Sequence, residues 1–386
     1  MIMKEKLLKE FEEWLHSEVK KSTANSYKSE IRRLDSESKV LGLPEISKWH
    51  ALGYDHVIRH LKQNQAWYDG NKKRHHSSSA AVRQFFQFLP NTRSAEKTDY
   101  SESYLLDTFL SRVSIKEILL ALKTKKNIIL QGPPGTGKTF IAKRLSYARM
   151  KEAAEDRVEV VQFHQSYSYE DFIQGFRPKE SGGFERKDGV FFRFCEKARR
   201  DSRHDYFFLI DEINRGNLSK IFGELMMLIE ADKRGAKHQL QLTYSNQGEH
   251  FFIPENVHII GTMNTADRSL AMVDYALRRR FAFFYMPPQF NAKFEDYLQA
   301  EHRISASMIK RIVAKVTALN KIISDDNNLG DGFEIGHSYF CTDVPKGGDE
   351  VLWYNHIVDH EIGPQLQEYW FDDKKRALDQ IELLKA

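Results

Sequence analysis

One stretch, residues 127–140 (NIILQGPPGTGKTF), limits what this 386-residue chain can fold into more than any other. Its opening, Asn127 to Gln131, has an apolar centre and reads as a buried strand. Gly132, Pro133, Pro134, Gly135, Thr136, Gly137, Lys138 and Thr139 follow as a loop, and IAKRLSYAR then takes up a helical pattern. A strand, a G-x-x-x-x-G-K-[ST] loop and a helix in that order form a phosphate cradle. Glycines let backbone N–H groups turn inward around a phosphate chain. The helix presents its positive end to the same anion. Lys138 has the reach for terminal phosphates, and the Thr139 hydroxyl is placed to hold Mg²⁺. The stretch implies a nucleoside triphosphate ligand.

The rest of a sheet can be read downstream. Ile115 to Leu122 is an amphipathic helix leading into the first strand, and Val158 to Phe163 is a second strand. Residues 174–192 set glycines among aromatic residues, which predicts a hairpin or loop insertion. Tyr206 to Ile210 is apolar enough for a strand buried on both faces, and it ends in Asp211 and Glu212. Asp211 would stand near Thr139 and help hold Mg²⁺, and Glu212 would polarise an attacking water. A helix is expected over 217–230 and a short strand over 239–244. A further strand, 257–264, ends in Asn264, whose amide can hold the attacking water or the γ-phosphate; a turn-forming asparagine is the alternative. Arg278, Arg279 and Arg280 precede another apolar run, FAFFYM. Arginines at a strand start are poorly explained as core and well explained as fingers reaching a neighbouring subunit's phosphate; a surface basic patch is the alternative. Strands interleaved with helices make a parallel α/β sheet.

The order of these motifs resembles the AAA+ superfamily, with Asn264 in the sensor-1 place. The resemblance sharpens at FHQSYSYEDFIQGFRP (163–178), DEINRGN (211–217), MNTADRS (263–269) and GHSYF (336–340), which together look like McrB, the motor subunit of modified-cytosine restriction systems. It covers roughly residues 105–370. It implies a P-loop NTPase core with a parallel sheet and an α-helical lid, preceded by a small all-α domain. It implies an NTP hydrolase, with GTP as substrate and ATP as second choice. The motor would work as a homo-oligomeric ring, a hexamer, beside a separate McrC-like nuclease subunit in a DNA restriction or antiviral complex. It carries functional roles onto Gly132–Thr139, Asp211, Glu212, Asn264, Thr265, Ala266, Asp267, Arg279 and Arg280. Asn264 to Asp267 also has the N-x-x-D spacing of the guanine-reading motif of small GTPases, where a carboxylate accepts guanine N–H bonds. Contact of Asp267 and Arg268 with an adjacent subunit or partner is the other reading. No second carboxylate cluster suits a metal-dependent nuclease, so DNA cleavage would fall to another polypeptide. An AAA+ ATPase that remodels proteins through a helical adaptor is the competing function.

The chain ahead of the motor differs in character. Residues 1–95 carry 17 Lys+Arg against 11 Asp+Glu, so +6, and the remainder carries −2. Leu7, Leu8, Phe11, Trp14 and Leu15 keep helical spacing, as do Tyr27, Ile31 and Leu34, with Ser22 or Thr23 as N-cap of the second helix. Residues 71–79 form a basic, polar turn running into a helix at 80–89. The segments Thr23 to Tyr27 and Phe85 to Leu89 resemble the core-binding domain of tyrosine recombinases. Lys72, Lys73, Arg74 and Arg83 are candidate contacts to DNA phosphates. A helical packing domain with a solvated basic loop is the alternative. The expected layout is 1–92 helical basic module, 93–106 linker, 107–288 motor core and 289–386 helical lid. Lid helices are expected at 294–298, 306–323 and 364–384, the last broken near Asp372. Glycine to tyrosine at 336–339 would either approach the nucleotide or start a helix.

No run of about 18 apolar residues occurs, so no membrane span is expected. Cys195 and Cys341 lack metal or redox spacing, and a cytoplasmic protein is the expectation.

Overall fold

The computed structural model describes residues 21–37, 100–267, 275–345 and 348–385, with Phe11, Leu61, Ala81, Val82 and Phe85 as single positions. They fall into two units, Met1–Leu106 and Asp107–Ala386. In the first, helix α1 (Lys21–Ser36) buries Ile31 and Leu34 on one face. Arg33 on the other face pairs with Glu30 at 3.0 Å and Glu37 at 2.6 Å. Ser22 and Thr23 lie inside this helix rather than capping it. Phe11 and Phe85 meet edge to face, with centroids 5.0 Å apart. Lys72, Lys73, Arg74 and Arg83 lie outside the described residues.

The second unit is built on a five-stranded, all-parallel sheet. Its strands are β1 (Asn127–Gly132), β2 (Val158–Gln162), β5 (Tyr206–Asp211), β6 (Val257–Asn264) and β7 (Ala282–Tyr285), in the order β2-β5-β6-β1-β7. Ile128, Ile129 and Leu130 of β1 and Phe207, Phe208 and Ile210 of β5 are fully buried. Each such side chain contributes about 1.5–3 kcal/mol. These apolar runs are strands because helices cover the sheet's faces and leave no solvated side to demand alternation. The helices are α2 (Arg112–Lys125), α3 (Lys138–Met150) and α5 (Val190–Arg200), with a short α4 (Tyr169–Phe172) opened by a capping box between Ser168 and Asp171. Phe172 stacks on Phe191 and meets Phe208 and Phe222 edge-on, joining these helices to β5. Residues 174–188 form the antiparallel hairpin β3 (Gln174–Pro178) and β4 (Phe184–Asp188), in line with the hairpin reading.

Three local expectations need correction. The helix expected over 217–230 is two pieces, α6 (Leu218–Phe222) and α7 (Leu225–Leu228). Gly223 between them has φ 50° and ψ −130°, which no helix accommodates, and the Tyr169 ring packs against it. The strand expected over 239–244 is a single bridge between Leu240 and Phe251, because the chain turns back at Leu242–Ser245. Arg278, Arg279 and Arg280 end a helix, α8 (Tyr275–Arg280), rather than start a strand. Cations there suit the negative end of the helix.

The lid comprises α9 (Ala292–Glu301), α10 (Ala306–Ser324), α11 (Glu350–Ile357), a π-helical turn (Val358–Ile362), α12 (Gly363–Tyr369) and α13 (Lys374–Lys385). Asn291, Ser305 and Asp349 cap α9, α10 and α11 through their side chains. Ile312, Val316, Ile357, Leu366 and Ile381 meet in a second hydrophobic core. The break near Asp372 is present between α12 and α13.

Candidate nucleotide site

Parallel strands end together, and here three of those ends carry the polar residues singled out above. Gly132 at the end of β1 lies in register with Asn264 at the end of β6, and β6 runs beside β5, which ends in Asp211. The loop from Gly132 then turns into α3. Gly135 and Gly137 take φ 73° and 71°, the left-handed region that glycine enters freely. Gly137 stands at the N-cap of α3 and supplies no side chain to it. The first N–H groups of α3 are therefore left for an external anion.

Lys138 folds back onto this loop. Its Nζ donates to the Gly132 and Pro133 carbonyls at 3.1 and 2.7 Å. Burial lowers its pKa to about 8, against the pull of Glu212 and Asp211. Thr139 Oγ1 donates to Asp211 Oδ1 at 2.7 Å, and Thr262 Oγ1 donates to the same oxygen. A hydroxyl and a carboxylate converging this way are hard oxygen donors. They fit Mg²⁺ with phosphate and water completing its shell. Among the described residues no group of three or more His, Cys, Asp or Glu could hold a metal without such help.

Glu212 follows Asp211 with φ 51° and ψ 47°, an unfavourable region for a residue with a Cβ. Asn264 Nδ2 donates to its Oε1. Its Oε2 is buried and accepts no hydrogen bond among the described residues; Arg215 Nε stands 3.5 Å away. Burial pushes the Glu212 carboxyl above its usual range; Arg215 opposes this, and Asp267 and Asp211 add to it. The result is a carboxylate with one oxygen held by an amide and the other buried beside the Arg215 guanidinium.

Gly135, Gly137, Lys138, Thr139, Asp211, Glu212, Thr262, Asn264 and Ser338 line one cleft. Thr265, Ala266 and Asp267 do not line it. The Thr265 hydroxyl donates to the Gly332 carbonyl of the lid at 2.9 Å. The Asp267 carboxylate receives Arg215 Nη2 at 2.9 Å, and Arg268 lies outside the described residues. Arg280 donates from Nε to the Met226 carbonyl at 2.6 Å and pairs with Glu230 at 3.2 Å. Arg278 and Arg279 are exposed. Asn127 Nδ2 holds the Arg280 carbonyl at 3.1 Å, at the opposite end of β1 from Gly132. That separation is roughly 17 Å along the strand. These arginines therefore lie at the opposite end of β1 from their own P-loop.

Sequence reasoning missed Thr262 and Arg215. Thr262 could have been found, because it lies two residues before Asn264 and so shares its face of β6. The Arg215 contact with Asp267 spans 52 residues and leaves no local signal. Ser338 N donates to the Gly135 carbonyl at 2.9 Å, and the Tyr339 ring lies against Gly135. The 336–339 stretch thus touches the P-loop and also starts a 3₁₀ turn, His337–Phe340. His337 is buried and accepts from Gln289 N at 3.0 Å; burial, with the Lys138 charge, lowers its pKa to about 4.

Sheet order, phosphate loop, acid pair and helical lid together define an AAA+ protein. A model of the AAA domain of the dynein-related subfamily matches residues 127–281. Within that class the motor and lid are McrB-like. A model of the McrB alpha-helical lid domain matches residues 311–378. The chain is 53% identical over 282 residues to the type IV methyl-directed restriction enzyme EcoKMcrB subunit of Escherichia coli (strain K12), covering 71% of this chain and 61% of that protein. It is 26% identical over 223 residues to the type II restriction enzyme BsuMI component YdiS of Bacillus subtilis (strain 168), covering 44% of this chain and 64% of that protein. The chain thus spans about three fifths of the length of these relatives. A model of IstB-like ATP binding proteins also matches residues 46–173. A solved putative ATPase from Cytophaga hutchinsonii gives a TM-score of 0.33 at 16% identity over 56% of this chain and 64% of that one, too slight to carry weight.

Proposed function

We propose that this chain is the nucleotide-hydrolysing motor of a DNA restriction complex. It hydrolyses GTP, with ATP as second choice, acts as a homo-oligomeric ring and works with a separate McrC-like nuclease subunit. The observation that carries the hydrolytic reading is the pair of contacts Thr139–Asp211 and Asn264–Glu212 at one strand edge. The restriction context rests on the two relatives, one a restriction-enzyme subunit and the other a restriction-enzyme component. GTP and the ring are taken from the resemblance to McrB.

Each residue then has a task. The N–H groups after Gly135 and Lys138 hold the β- and γ-phosphates. Lys138 exchanges its two carbonyl partners for phosphate oxygens, to which its ammonium makes charge-assisted hydrogen bonds. Thr139 and Asp211 would hold Mg²⁺, which supplies charge neutralisation on the phosphates. Asn264 fixes one oxygen of Glu212, and the carboxylate takes the proton of the water that attacks the γ-phosphorus as the bond to the leaving nucleoside diphosphate breaks. Arg279, exposed and remote from its own P-loop, serves the site of a neighbouring copy. The Lys72–Arg74 cluster and Arg83 supply phosphate contacts to DNA on the strength of charge alone.

Phosphate release by the full chain with GTP and with ATP, each with and without DNA and the nuclease subunit, tests this. We expect GTP turnover that rises when the nuclease subunit is added. Turnover of ATP alone, indifferent to that subunit and to DNA, would favour a protein-remodelling motor instead.

A further inference from the structure

The lid is fastened to the sheet by two hydroxyl groups that the hydrolytic mechanism does not use. Thr265 follows Asn264 directly, and its Oγ1 donates to the Gly332 carbonyl at 2.9 Å. Tyr285, the last residue of β7, donates from its hydroxyl to the neighbouring Asp331 carbonyl at 2.8 Å. Both acceptors belong to one short turn, Asp331–Phe333, which follows α10. Gly332 lies so close to Thr265 that a Cβ on it would stand 3.1 Å from the threonine side chain. The backbone of Thr265 is tied as well: its N–H donates to the Gly132 carbonyl at 3.1 Å, at the start of the phosphate loop. One residue therefore touches the base of the loop through its backbone and the lid through its side chain. Its neighbour in sequence holds Glu212.

We infer that Thr265 and Tyr285 are positioning residues: they seat the lid turn on the end of β6, so that a seated lid fixes Asn264 in the orientation that aims Glu212. Thr265 thus acts on the lid and not on the nucleotide. The side chain that carries the coupling is a hydroxyl, so serine preserves it and valine, of the same shape, removes it. Neither hydroxyl supports the core. Tyr285 is 39% exposed, and Thr265 is half-buried at the sheet's edge.

This inference rests on Glu212-dependent hydrolysis, and its test separates the two. In the full chain, we expect Thr265→Val to lower kcat about ten-fold with nucleotide affinity held within about two-fold, because the lost bond biases aim rather than contact. Thr265→Ser should keep at least about half of the wild-type kcat. Tyr285→Phe should lower kcat about three-fold, and the double variant should fall by less than the product of the two, since both bonds hold one turn. Unchanged kcat in Thr265→Val, equal loss in Thr265→Ser, or affinity falling in step with kcat would each overturn the coupling while leaving hydrolysis standing. Should the wild-type chain show no turnover, hydrolysis itself fails and amide exchange decides the latch. Thr265→Val should speed exchange across 331–338 and 211–216 about five-fold, and Thr265→Ser should not. Unaltered exchange in Thr265→Val overturns the latch whatever the turnover.

Discussion

Lys138 shows how a single residue can be tuned for a ligand at the expense of the unliganded fold. An ammonium buried on two carbonyls is less comfortable than one in water, hence its pKa of about 8. A lysine with a lowered pKa disfavours the charged folded state. Stability therefore rises with pH between about 8 and the ordinary lysine value of 10.5, and at neutral pH the buried charge costs stability. Methionine keeps the stem and removes the charge. We expect Lys138→Met to raise the unliganded Tm by about 2–4 °C, measured by calorimetry, while abolishing nucleotide binding. A lower Tm with binding retained would show that the lysine serves the fold. The motif residues of the cleft were legible at this scale because backbone geometry dictates them: glycines for positive φ, an acid pair at a strand end, an amide at the next strand's end. Arg215 was not legible as a partner of Asp267, because that salt bridge spans 52 residues.

Among elements, the lid reaches the cleft through Ser338, whose N–H donates to the Gly135 carbonyl at 2.9 Å. Gly336 passes so near the loop that a Cβ on it would overlap the Gly135 carbonyl. Gly336→Ala must therefore push the 3₁₀ turn and its Ser338 contact off the P-loop, at about 1–3 kcal/mol. We expect nucleotide affinity to fall about ten-fold or more, measured with a fluorescent nucleotide, with the strand content by circular dichroism unchanged. Unaltered affinity would mean that the lid does not need this approach. Fold legibility followed burial. Strands β1, β5 and β6 were readable as continuous apolar runs because both faces are covered. The helix break at Gly223 was not, since Tyr169, 55 residues before Glu224 and bonded to it at 2.7 Å, packs against Gly223 from outside the local sequence. Helix α11 escaped notice for a related reason: EVLWYNHI carries no clean helical period, and Trp353, Tyr354 and Ile357 are buried by the lid core, not by a solvent-facing alternation.

For the whole molecule, the arginines lie at the opposite end of β1 from the P-loop, and in the proposed ring they would serve the site of a neighbouring copy. Arg280 is held by Glu230 and the Met226 carbonyl, which leaves Arg279 as the better candidate for service in trans. We expect Arg279→Ala to lower turnover roughly 10³-fold without altering nucleotide affinity. Mixing it with a Lys138→Met protein should restore part of the activity at interfaces that pair an intact P-loop with an intact arginine. Failure of the mixture to recover any activity, with assembly intact by sedimentation, would count against a shared site. No helix among the described residues is long and apolar enough to cross a membrane.

The hydrolytic reading depends most on the Glu212 carboxylate, which Asn264 holds through Oε1. The direct measurement is phosphate release and nucleotide affinity for Glu212→Gln beside the wild-type chain, in Mg²⁺ with GTP and with ATP. The amide keeps the shape and loses the base, so turnover should fall at least about 10²-fold while affinity stays within a few-fold. Turnover at the wild-type rate in Glu212→Gln would contradict the assignment of this cleft as the hydrolytic centre.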